Sequence, residues 1–132
     1  MKFSSTIFLG AFQAVGVLSS PTEAADKECG ALGVMKIDLA KLPAGVNPND
    51  IRKCAEHPLR HSINRRDCWF GEQSGCSKGF CYRNCGTGGS GQWCWSASNG
   101  GLGGWITCKK SSDCNVNMSC GIGNCKSCGC SC

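Results

Sequence analysis

The sequence predicts a small, disulfide-rich, mainly β protein: a three-stranded antiparallel meander with one short N-terminal α-helix and long irregular loops. Three observations carry that expectation. Fourteen of the 132 residues are cysteine, an even number far above ordinary usage. From Asp67 onward, large apolar side chains beyond the four tryptophans are few, too thin a core for a chain this small to rely on. Finally, two aromatic-Cys-aromatic triplets, Phe80-Cys81-Tyr82 and Trp93-Cys94-Trp95, sit beside glycine-rich loops. Strand side chains alternate between faces, so each triplet puts its rings on one side and its sulfur on the other. Each bridge typically contributes about 2–4 kcal/mol, so cystines rather than aliphatic packing are expected to hold the chain. Fourteen cysteines allow on the order of 10⁵ pairings, and spacing alone selects none of them.

Residues 1–24 read as a secretory signal peptide, with Lys2 as the basic start, Ile7 to Leu18 as the apolar run and Thr22-Glu23-Ala24 as the cleavage site. The apolar run is too short to span a membrane well, and no later stretch could cross one. Every cysteine follows the expected cut, as an oxidising, extracellular destination requires.

Residues 25–66 form a segment of different composition, with both histidines, three of the four prolines and only Cys29 and Cys54. Gly33 to Leu39 alternates as a short strand would. Asn47-Pro48 opening a run to Glu56, with Pro58 as the stop, predicts the short helix. His57 is expected at that helix end, serving the C-terminal dipole. A Cys29–Cys54 bridge would staple strand to helix. Arg65-Arg66 is a candidate processing site, a cut there making residues 25–66 a pro-segment or a chain tethered by disulfides; two solvated linker arginines are the plainer reading.

Residues 67–132 are the cysteine-dense module, holding Cys68, Cys76, Cys81, Cys85, Cys94, Cys108, Cys114, Cys120, Cys125, Cys128, Cys130 and Cys132. The loops Gly86 to Gly91 and Ser98 to Gly104, the second with an Asn99-Gly100 turn signal, suit chain reversals. The meander strands are accordingly placed at Phe80–Tyr82, Trp93–Trp95 and Trp105–Cys108, with a cystine face (Cys81, Cys94, Cys108) and an aromatic face. Phe80, Tyr82, Trp93, Trp95 and Trp105, with Lys78 and Arg83 at the edge, are the candidate ligand-binding residues, since rings on a rigid sheet suit flat apolar faces such as those of sugars. The competing reading is that these rings fill a core short of aliphatics. Asn117-Met118-Ser119 is a candidate N-glycosylation sequon.

Other chemistry finds little footing. The Cys-x-x-Cys and Cys-x-Cys spacings between Cys120 and Cys132 could gather thiolates around a metal, yet half-cystines are the expectation behind a signal peptide; no metal and no cofactor are expected. Cys125-Lys126-Ser127-Cys128 has redox-motif spacing but no βαβ context. Nucleophilic catalysis needs a histidine, and His57 and His61 both lie upstream of the dense module. The carboxylates Asp67, Glu72 and Asp113 are few and separated by cysteines, and no enzyme is expected. The net charge of +5 is scattered, the longest basic runs being pairs, which argues against nucleic acid. Cys76-Ser77-Lys78-Gly79-Phe80-Cys81 echoes a run of hevein-like chitin-binding domains, one residue shorter than usual there.

As a set, certain residues resemble a group of small secreted cysteine-rich proteins of filamentous fungi. Upstream these are Glu28-Cys29-Gly30, Leu32-Gly33-Val34-Met35, Leu42-Pro43-Ala44-Gly45-Val46 and Arg52-Lys53-Cys54-Ala55-Glu56-His57-Pro58. Downstream they are Cys68-Trp69-Phe70-Gly71, Gly75-Cys76-Ser77-Lys78-Gly79, Trp93-Cys94-Trp95 and the run from Gly123 to Cys132. The group includes proteins induced during vegetative incompatibility and candidate effectors secreted during plant infection. The resemblance implies a secreted, non-catalytic protein and carries over no functional residue. The function expected is an effector-like binding protein, monomeric, with an unidentified extracellular host or microbial target, cell-wall polysaccharide included. Alternatives are a cationic antimicrobial or killer-type toxin and a chitin- or glucan-binding module.

Overall fold

A computed structural model describes residues 21–60 and 67–132. It shows a three-stranded antiparallel sheet, one short helix and seven disulfides that use all fourteen cysteines. The strands are β1 (Ser74–Ser77), β2 (Phe80–Asn84) and β3 (Trp93–Trp95), in the spatial order β1-β2-β3. The helix, α1, spans Pro21–Cys29.

β1 replaces the expected third strand. Its sequence, Ser-Gly-Cys-Ser, carries no β-branched or aromatic residue; what makes it a strand is the turn that follows. Lys78 and Gly79 both adopt positive φ, 48° and 86°, the conformation of a two-residue turn whose twist matches the flanking strands. The register is thereby fixed: Gly75 faces Tyr82 and Cys76 faces Cys81. The Tyr82 ring lies across Gly75, where a Cβ would come 2.8 Å from its hydroxyl and oblige the ring to shift.

Trp105–Cys108 does return beside the sheet, but only through single bridges, Ala97 to Trp105 and Phe80 to Thr107. The segment alternates between neighbours: Ile106 donates to the Ser96 carbonyl while its own carbonyl accepts from Cys81, and Cys108 donates to Gly79. Divided between β2 and the residues that follow β3, it never makes the consecutive pairs of a ladder.

The helix expected over 47–56 is reduced to one 3₁₀ turn, Pro48–Asp50, with Asn47 accepting from the Asn49 N–H as its cap. Beyond it, tertiary partners take the backbone. Arg52 donates to the Leu102 carbonyl, Ala55 to Gly33 and Glu56 to Leu32, and Cys54 pairs with Val34. That single bridge is all that forms of the strand expected over 33–39. α1 lies instead at the start of the described chain. At 9 residues it is too short to persist alone; the Cys29–Cys54 disulfide and an exposed Lys53–Glu28 ion pair tie its end down. The apolar run Ile7 to Leu18 lies outside the described residues, and the expected cut after Ala24 falls within α1. No described helix is long and apolar enough to cross a membrane.

Six disulfides link residues of 67–132: Cys68–Cys132, Cys76–Cys108, Cys81–Cys114, Cys85–Cys130, Cys94–Cys120 and Cys125–Cys128. Cys29–Cys54 lies wholly upstream. None spans 61–66, so the tether by disulfides considered for a chain cut after Arg66 does not exist; Arg65, Arg66 and His61 themselves lie outside the described residues. The sulfur face of the sheet is as expected, with Cys81 and Cys94 fully buried. Cys108, expected as a strand residue of that face, joins it through Cys76. Among the described residues, Leu102 is the largest fully buried aliphatic.

Candidate functional site

Strand alternation and register put Phe80, Tyr82, Trp93 and Trp95 on one face of the sheet, with Arg83 and the sulfurs on the other. The rings form a continuous chain of edge-to-face contacts. Trp69 meets Tyr82 at 6.2 Å, Tyr82 meets Trp93 at 6.2 Å, and Trp93 meets Trp95 at 5.0 Å. The interplanar angles of 77–85° mean that successive rings present faces and edges in turn, not one flat strip.

The inner end of this chain is closed by His57. Its imidazole stacks on Trp95 at 4.4 Å and 6°, with Phe80 and Trp105 edge-on at 4.5 and 4.8 Å. His57 is fully buried and Trp95 only 4% exposed. With no helix at 47–56, the histidine serves no helix dipole. It is a core residue delivered from the upstream segment, held by its N–H to Ser127 Oγ (2.8 Å) and by Nδ1, which accepts from Leu59 N–H (3.1 Å). That bond fixes Nδ1 as the unprotonated nitrogen.

Arg52 and Glu56 lock the same segment down. The Arg52 guanidinium lies 4.2 Å from the Trp105 ring centre and donates to the carbonyls of Gly101 (2.7 Å), Ile122 (2.7 Å) and Gly103 (3.3 Å). Burial lowers its pKa to about 10, which leaves it protonated at neutral pH. Carbonyl dipoles and a ring face, not a carboxylate, hold this charge. Glu56 accepts from the N–H groups of Lys126 (2.7 Å) and Ser127 (3.1 Å). Partial burial raises its pKa, but those bonds, the Ser127 hydroxyl and nearby Arg60 outweigh it and hold the carboxyl below its ordinary value. A depressed folded-state pKa adds stability that is present above the ordinary glutamate range and lost as pH falls through the folded value. Wild type is therefore expected to lose more stability than Glu56→Gln between about pH 6 and about pH 3, read from denaturant midpoints at the two pH values.

The candidate ligand-binding residues thus divide. Trp95 is core beneath His57, while Phe80 and Trp105, both half-buried, meet the same imidazole edge-on. Tyr82 and Trp93 are half-buried in the middle of the chain. Trp69 and Phe70, 44% and 74% exposed, extend its open end, and sequence reasoning passed over both. The available signal was a pair of adjacent aromatics, with no alternation to hide either ring, placed between Cys68 and Gly71. Lys78 is exposed on the β1–β2 turn. Arg83 points to the sulfur face and donates to the Val116 carbonyl (3.0 Å), so it does not edge the aromatic face. Asn117 is exposed, in a turn closed by the Asn115 side chain.

Beside the open end, the Gly86–Gly91 loop shapes a concavity of about 270 Å³. Its lining is uncharged and includes Gln73, Asn84, Ser90, Gln92 and Val116. Asn84 Oδ1 is buried with no hydrogen-bond partner among the described residues. Gly91 joins the two features: Trp69 N–H donates to its carbonyl (2.8 Å), and a Cβ there would come 2.8 Å from the Phe70 ring. Asp113, one of the few carboxylates of the module, accepts from the N–H groups of Lys109 and Lys110 to close a turn. The sulfurs of Cys81, Cys108 and Cys114, and those of Cys85, Cys94 and Cys120, lie within 4.8 Å of one another. Each group is a meeting of neighbouring cystines, with no thiolate left to bind a metal.

Comparison with known proteins returns no matching family model, no similar curated protein and no similar solved structure.

Proposed function

We propose that this is a secreted, disulfide-stabilised, effector-like binding protein of a fungus, acting outside the cell at a host or microbial interface, with neutral cell-wall polysaccharide as its ligand. The observation that carries the reading is the asymmetry of the ring chain. Its inner end is sealed by His57, while Trp69 and Phe70 stand open beside an uncharged, carboxamide-lined concavity. Ring faces bind the apolar faces of sugars, and carboxamides can donate to and accept from hydroxyls at once. The Asn84 acceptor is a buried polar atom of the kind a ligand donor satisfies. Loops cross-linked by cystines lose little ordering entropy on contact.

Pull-down on insoluble chitin and on insoluble β-glucan tests this. Wild type is expected in the pellet with one of them, and Trp69→Ala or Phe70→Ala is expected to cut retention about tenfold, the loss of about 1.4 kcal/mol of binding. Wild type left in the supernatant with both polymers, or equal retention of all three proteins, rejects the reading.

A further inference from the structure

Six of the seven disulfides join residues 25 to 64 positions apart. The seventh, Cys125–Cys128, joins residues 3 apart. Closing so small a ring removes little entropy from the unfolded chain, so this bridge adds least to global stability. Both of its cysteines are half-buried, and their neighbours Asn124 and Lys126 are exposed. It is also the bridge that Arg52 touches: Nη2 lies 3.2 Å from Cys128 Sγ and 3.9 Å from Cys125 Sγ. The guanidinium is held there by the carbonyls of Gly101 and Ile122. Besides Arg52, the charges around the ring include the exposed Lys126 and the Glu56 carboxylate on the Lys126 and Ser127 N–H groups, with Arg60 near that carboxylate.

We propose that Cys125-Lys126-Ser127-Cys128 is a thiol–disulfide exchange site that opens before the other six bridges, with Cys128 as the leaving thiolate opposite Arg52 and small thiols as the reductant. An external thiolate attacks Cys125 Sγ, the S–S bond breaks, and its electron pair departs on Cys128 Sγ. A second thiol then attacks the external sulfur of the mixed disulfide and releases Cys125. Two thiols are oxidised to one external disulfide as the protein disulfide is reduced to a dithiol. A neighbouring cation lowers the pKa of the departing thiolate, which speeds its departure. Opening also removes the ring that fixes the Lys126 and Ser127 donors against Glu56 and the Ser127 hydroxyl against His57 N–H. Exchange at this bridge therefore loosens the cover over the inner aromatic face.

The test treats the full chain with increasing glutathione, traps free thiols by alkylation and maps them by mass. Cys125 and Cys128 are expected to be labelled at a reductant concentration about tenfold below that needed for the other twelve. Arg52→Met is expected to slow labelling of the pair about tenfold, and Arg52→Lys, which keeps a cation, by less. In wild type, tryptophan emission should shift as the pair opens, because the stack on Trp95 relaxes. Labelling of the pair together with or after the other bridges overturns the proposal, whatever the variants do. So does an Arg52→Met protein that folds and opens at the wild-type rate. If Arg52→Met does not fold, Arg52→Gln takes its place, since it too removes the cation: a pair that opens first and is slowed in Arg52→Gln supports the site, and a wild-type rate there overturns it.

Discussion

Replacing Cys94 and Cys120 together by alanine is expected to leave the chain without a native fold at physiological temperature. That bridge closes a 26-residue separation, worth about 3–4 kcal/mol in chain entropy, and Cys94 is fully buried in the middle of β3. Little else can compensate. The strands are 4, 5 and 3 residues long, and among the described residues Leu102 is the only sizeable aliphatic of the largest fully buried side chains. Loss of amide dispersion in a two-dimensional NMR spectrum of the double variant would register the collapse. A native spectrum would mean that packing suffices without the bridge. Replacing Cys29 and Cys54 is the matching control. Their bridge fastens α1 to the edge of the upstream segment, so the sheet should survive its loss.

His57→Ala, which leaves every disulfide in place, should cost about 3 kcal/mol and about 15 °C in melting temperature. The side chain is fully buried against three rings, and its removal leaves a hole bounded by stiff aromatics that cannot collapse into it. Leu59 N–H also loses its acceptor. His57→Phe restores the volume but not the acceptor and should recover part of the loss. Thermal unfolding followed by tryptophan fluorescence measures all three proteins. A melting temperature for His57→Ala within a few degrees of wild type would show that Trp95 does not depend on the upstream segment for its cover.

The parts of this fold legible in the sequence are those set by local pattern. The alternation in Phe80-Cys81-Tyr82 and Trp93-Cys94-Trp95 placed two strands and separated sulfurs from rings. The glycine runs placed both reversals, and the even cysteine count anticipated complete pairing. What stayed hidden depends on contacts distant in sequence. Asn47-Pro48 is a sound helix start and does form its cap, yet the next residues bond to Leu102, Gly33 and Leu32, which no helical pattern announces. Ser74–Ser77 lacks strand formers and is recruited by its turn. His57 reads as a lone histidine before a proline, and only the chain path from Val34 back to Cys54 carries it beneath Trp95. The candidate site shifted for the same reason. Sequence could list the rings but not say which end another segment covers, so Trp69 and Phe70 became the open surface while Trp95 became core.

That no cystine spans positions 61–66 has a consequence for how the two parts stay together. In the continuous chain, the short connection holds the upstream segment near its seat at an effective concentration on the order of millimolar. Cut once within those positions, the molecule would become a heterodimer governed by mass action, held by Arg52, Glu56, His57 and the reciprocal Asn47–Asn99 bonds. Dilution would then separate its halves and bare a second aromatic surface, one that the uncut protein keeps out of reach.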